Sequence, residues 1–108
     1  MCEHAFVSIK GSSYANFRRA LLGGNMHIIE AAAAELEVVQ LEDALRILVV
    51  MARAADPRFE RAAAKWVARV TAERRLELAD SRRLILLAEC LPEAPDAIEP
   101  VLRRLCAH

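Results

Sequence analysis

Residues 44–57, ALRILVVMARAADP, admit few folds. At about 100° per residue, Leu45, Ile47, Leu48, Val49, Val50 and Met51 point to nearly every side of a helix. Such a helix has to be covered from more than one direction, because it is apolar on nearly every side. A bilayer cannot supply that cover: a span takes roughly 18 or more apolar residues, and Arg46 interrupts this run. The chain must therefore wrap the segment from about Leu41 to Ala55 in helices of its own, with this segment at the centre of the core.

The remainder of the chain supplies them. After Ser13, Ala, Leu, Arg and Glu dominate, which are strong helix formers. Ser13 is placed to cap a helix to about Leu22, with Tyr14, Phe17, Ala20 and Leu21 on one apolar face. Gly23 and Gly24 end it, and Asn25 caps a second helix to about Leu36. Asp56 and Pro57 punctuate next, Pro fitting the first helical position at no hydrogen-bond cost. Further helices are expected over about 57–74, from Leu78 to Leu91, and within 95–107. Pro100 belongs in or near the first turn of the last one, since deeper in a helix it costs about 3 kcal/mol. Only AFVSI, residues 5–9, leans toward a strand. The expectation is an all-α chain of about six helices in three stacked antiparallel hairpins, a short α-solenoid-like bundle over 13–108, after an N-terminal arm over 1–12 that is extended or disordered. At 108 residues the chain falls within the range in which one domain closes a core without staples.

Two segments echo each other at a spacing of 37. VQLEDALRIL from Val39 aligns with LELADSRRLI from Leu76, matching Leu41 with Leu78, Asp43 with Asp80 and Arg46 with Arg83. In each, the Asp falls in a first helical turn, where the helix dipole favours an acid. That spacing is the length of a helical hairpin. LEDALRILVVMARAADP, with Ala44 in the small-residue position and Pro57 closing the unit, resembles the second helix and closing Asp-Pro of a tetratricopeptide-type repeat. The resemblance implies a helical-hairpin protein and carries no catalytic residue across. With thirteen Arg against two Lys, the Ala- and Arg-rich composition also resembles that of small helical proteins from high-GC, actinobacterial-type genomes.

Charge is balanced in total and uneven along the chain. Residues 25–45 hold five acids and no Lys or Arg, and residues 46–75 hold eight bases against three acids. Neighbouring elements are expected to neutralise one another, and a net charge of zero gives no bulk attraction to nucleic acid or membrane. Within the basic stretch, Arg58, Arg61, Lys65 and Arg69 fall on one helical arc about 80° wide. Phe59 and Trp66 lie on the adjoining apolar arc, so the aromatics face the core and do not alternate with the bases as they do in single-strand binders. Ala64, Ala68 and Ala72 form a third arc of small residues, the spacing that lets another helix approach closely.

Chemistry-bearing residues are sparse. Cys2-Glu-His4 and Cys106-Ala-His108 put a Cys-x-His at each end, a donor set of the zinc type, but i and i+2 point about 200° apart on a helix and do not share a metal there. His27 and Glu30 are one turn apart with no nucleophile at helical spacing. Two Asn, one Gln, one Thr and four Ser leave few neutral donors and acceptors for a catalytic site. Gly23-Gly24-Asn25 lacks the Lys and Ser/Thr of a nucleotide loop and reads as a turn. Cys90, beside Leu86, Leu87 and Leu91, is expected as a buried thiol. Three cysteines and a start without a signal-peptide pattern point to a reducing cytoplasm.

The expected function is therefore non-enzymatic and cofactor-free: a cytoplasmic helical interaction module that binds another protein or a second copy of itself, with no membrane role. An acidic surface would suit Arg58, Arg61, Lys65 and Arg69. The alternative is nucleic-acid binding through the same stripe, joined by Arg18-Arg19, Arg74-Arg75 and Arg103-Arg104.

Overall fold

The computed structural model describes residues 2–107, with side chains described from residue 11 onward. It contains six helices and, among the described residues, no strand: α1 (Cys2–Gly23), α2 (Met26–Ala34), α3 (Leu41–Arg53), α4 (Phe59–Glu73), α5 (Leu78–Cys90) and α6 (Pro95–Cys106). They fall into two compact units, Met1–Val39 and Gln40–His108, where the sequence leads one to expect a single domain over 13–108.

In the first unit α1 packs on α2. Helix α1 starts at Cys2, which replaces the arm expected over 1–12. The physical reason is cooperativity: once Ser13 onward is helical, each preceding residue adds a hydrogen bond without a new nucleation cost, and no Pro stops the growth. The side chains of the AFVSI segment lie outside the described residues. Gly24 closes α1 with φ +74°, the left-handed conformation that only glycine adopts cheaply, and its N–H donates to the Ala20 carbonyl at 3.2 Å. Asn25 then caps α2, its side-chain oxygen accepting from the N–H groups of His27 at 3.0 Å and Ile28 at 3.4 Å. Phe17 and Ala20 on α1 and Ile29 and Ala32 on α2 are buried.

In the second unit the four helices close on themselves. Helix α3 packs on α4 and α6, and α5 packs on the same two, so the hairpins α3–α4 and α5–α6 form a closed four-helix arrangement. The all-round apolar helix thus has its two covers, and Leu41, Leu45, Leu48, Val49, Met51 and Ala52 are buried on it. Facing them, α4 contributes Ala63, Trp66 and Val70, at the i, i+3, i+7 spacing of one face. Helix α5 contributes Leu84 and Ala88, followed by Leu91, and α6 contributes Leu102 and Cys106. Each fully buried Leu of this set is worth about 1.5–3 kcal/mol.

Polar ties fix the ring. The Trp66 indole donates to the Leu41 carbonyl, Arg74 Nε donates to the Cys106 carbonyl at 2.7 Å, and Arg53 pairs with Asp96 between α3 and α6. Both halves of the sequence echo fold alike at the charged positions: Arg46 meets Asp43 at 2.8 Å and Arg83 meets Asp80 at 2.9 Å, each three residues apart. They differ at the leucine, since Leu41 is buried and Leu78 is exposed.

Two turn details depart from the sequence expectation. Asp56 closes the turn ahead of α4 and does not cap a helix beginning at residue 57. Its Oδ1 accepts from the Arg58 N–H at 2.9 Å and its carbonyl accepts from the Phe59 N–H, so α4 begins at Phe59. Pro100 is the sixth residue of α6 and not part of its first turn. Pro95 opens α6, fixing φ at the start of the helix, while the exposed position of Pro100 leaves the unbonded carbonyl of Asp96 in the reach of water.

Candidate interaction surface

The basic stripe folds as the helical arc requires, but its members are not equivalent. Arg58, just before α4, is drawn back onto Asp56, donating from Nε at 3.1 Å and from its terminal nitrogen at 2.9 Å. Arg69 Nε donates to Glu73 Oε2 at 3.0 Å, one turn ahead on the same helix. Arg61 and Lys65 are exposed and make no hydrogen bond or ion pair among the described residues. The stripe is therefore a pair of uncommitted cations, Arg61 and Lys65, flanked by two cations already held by carboxylates. Trp66 is 3% exposed and turned into the core, whereas Phe59, also expected to face the core, is half-buried at the end of the α4–α5 groove and does not alternate with these bases.

The doublets are occupied in part, since the side chains of Arg75 and Arg104 are exposed and make no hydrogen bond or ion pair among the described residues. Arg18 donates to the Tyr14 hydroxyl and Arg19 to Asn16 Oδ1, while Arg74 holds the Cys106 carbonyl and Arg103 donates to Glu99 Oε2 at 2.6 Å.

Beside the stripe, α4 and α5 enclose an open groove of about 620 Å³. Ala64, Val67 and Ala68 form its α4 wall, Ile85 and Glu89 its α5 wall, and Pro92 and Phe59 close one end. The small-residue arc read from the sequence is thus on the outside: Ala64, Ala68 and Ala72 are all exposed. Their methyl groups keep α4 low on that side, which is what makes the groove.

Sequence reasoning missed what stands next to it. Leu78, Ile85 and Leu86 on α5 are exposed to 77%, 46% and 63%. Cys90, expected to be buried, is exposed as well. The reason is geometric. Leu84, Ala88 and Leu91 at i, i+4, i+7 claim the buried side, and that rotation carries Ile85, Leu86 and Cys90 out to solvent. Arg82 and Glu89 are exposed on this same side, neither with a partner among the described residues. The signal that could have found the surface is the run Leu84-Ile-Leu-Leu87, in which four consecutive apolar residues cannot all face one core.

No family model, curated protein or solved structure matches this chain. Of the zinc-type set, Cys106 is buried with its thiol donating to the Arg103 carbonyl at 3.5 Å, and the side chains of Cys2, His4 and His108 lie outside the described residues. Among the described residues, no group of three or more His, Cys, Asp or Glu is placed to hold a metal. Burial pushes the Cys106 thiol above its ordinary value, and Glu42 adds to the rise. Among the described residues no helix is long and apolar enough to cross a membrane.

Proposed function

We propose that the chain is a non-enzymatic helical interaction module whose working surface is the α4–α5 face. One observation carries the reading: three large apolar side chains of α5, Leu78, Ile85 and Leu86, stand in solvent beside an apolar groove. Single exposed leucines need no explanation, but several large apolar side chains on the exposed side of one helix, beside an apolar groove, mark a protein-binding face. Arg61 and Lys65 give one flank of that face a charged edge, and Arg82 and Glu89 run between Ile85 and Leu86, so the charges steer a partner and fix its register. A cytoplasmic setting suits an exposed free thiol such as Cys90.

Nucleic-acid binding is the rival, and Arg61 with Lys65 is the observation in its favour. Even with the exposed Arg75 and Arg104 added, a handful of free cations releases few counterions, so such binding would be weak and steeply salt-dependent.

Site-specific photo-crosslinking in living cells tests the proposal. A photoreactive residue in place of Leu86 is expected to capture a protein, and one in place of the exposed Glu42 on α3 is expected to capture none. Equal capture at both positions, or none at Leu86, would overturn the reading. In parallel, Arg61→Glu with Lys65→Glu should leave retention on DNA and RNA columns unchanged; a clear drop would favour the rival.

A further inference from the structure

The α5 face has a pattern that selects its partner. On a helical wheel with Leu78 at the origin, Arg82 lies at about 40° and Glu89 at about 20°, one line along the middle of the exposed side. Ile85 lies at about 340° on one flank of that line, toward α4, and Leu86 at about 80° on the other. Arg82 and Glu89 are equally far from the midpoint between residues 85 and 86, about 5 Å toward either end at about 1.5 Å per residue.

A second α5 laid antiparallel about a two-fold axis through that midpoint would bring both charges and both flanking apolar side chains onto their complements. Arg82 comes level with Glu89 of the other copy, twice. Ile85 meets Ile85 on one flank and Leu86 meets Leu86 on the other. A parallel arrangement in register would instead oppose Arg82 to Arg82 and Glu89 to Glu89, a like-charge clash. Ile85 borders the groove, so the other copy's Ile85 would seat against Ala64 and Ala68, whose small side chains permit the close approach. A two-fold interface of this kind is self-complementary by construction, the commonest closed symmetry of soluble proteins.

We infer that the occupant of the α4–α5 face is a second copy of this chain, docked through antiparallel α5 helices with reciprocal Arg82–Glu89 pairs. The inference rests on the interaction-module reading and narrows its partner to one.

Charge reversal tests it. Sedimentation equilibrium of the full chain, from about 1 to 200 µM, is expected to show a monomer–dimer equilibrium. Arg82→Glu alone and Glu89→Arg alone should each weaken dimerisation at least tenfold, and the double variant Arg82→Glu/Glu89→Arg should restore it. Both side chains are exposed, so these variants are expected to fold, and far-UV circular dichroism verifies it. A monomer across the whole range overturns the inference, as does a dimer whose affinity is indifferent to the single reversals or is not restored by the double one. A different protein captured from position 86, with the chain itself monomeric, would sink the inference and leave the interaction-module reading standing. No capture at that position would end both.

Discussion

The indole Nε1–H of Trp66 donates to the backbone carbonyl of Leu41 across 2.9 Å, a buried bond that ties the middle of α4 to the first residue of α3. It fixes the height of one helix against the other in the hairpin that the α4–α5 groove is built on. Trp66→Phe keeps an aromatic ring but removes the donor and leaves space, and is expected to cost about 1–3 kcal/mol. Urea unfolding followed by far-UV circular dichroism measures it. A loss below about 0.5 kcal/mol, the low end for an ordinary hydrogen bond, would mean that the bond contributes nothing.

The two echoed ion pairs should differ sharply in value despite their shared geometry. Asp43 is 4% exposed, and its removal leaves Arg46 without the carboxylate beside it. Asp80 and Arg83 are both well exposed. Asp43→Ala should therefore destabilise by about 2–3 kcal/mol, and Asp80→Ala by no more than about 1 kcal/mol, the range of surface pairs. Equal losses in the same unfolding assay would refute the distinction.

That contrast also marks where sequence reasoning succeeds and where it stops. Helix positions were legible because local rules decide them. Gly24 at a left-handed closure, Asn25 as a cap and the all-round apolar run of α3 each have one cheap conformation. The rotation of a helix about its own axis is not local. On α5 the leucines at 84, 86, 87 and 91 permit more than one buried side, and packing against α4 and α6 chose the one that exposes Leu86 and Cys90. The basic arc on α4 was legible as geometry. Its reduction to Arg61 and Lys65 was not, because it depends on Arg58 folding back to Asp56 and on Arg69 reaching Glu73.

Helix α3 ends on a residue held in an unfavourable conformation. Ala55 has φ 53°, and around it Asp56 N–H donates to the Met51 carbonyl and Ala55 N–H to the Ala52 carbonyl, the double bond pattern that normally recruits glycine. Ala55→Gly should stabilise the chain by about 0.5–1 kcal/mol, since the relief of left-handed strain exceeds the added entropy of the unfolded glycine. Arg75, at φ 51° after α4, should respond in the same direction. Thermal unfolding of both variants checks this, and a fall in midpoint for both would contradict it.

The two described thiols should separate by accessibility and by pH. In a Cys2→Ser background, Cys90 is exposed and is expected to react with a thiol reagent in the native state, whereas Cys106 is buried and should react only on unfolding. Burial raises the Cys106 thiol above its ordinary value of 9.0, so the folded state holds this proton more tightly than the unfolded chain does. Its contribution to stability is fully present below pH 9.0 and declines as the pH rises from there through the raised folded value. Urea midpoints measured from about pH 8 to about pH 10.5 should therefore fall, and fall less steeply in Cys106→Ala than in the parent. If the two slopes coincide, the buried thiol is not the group responsible.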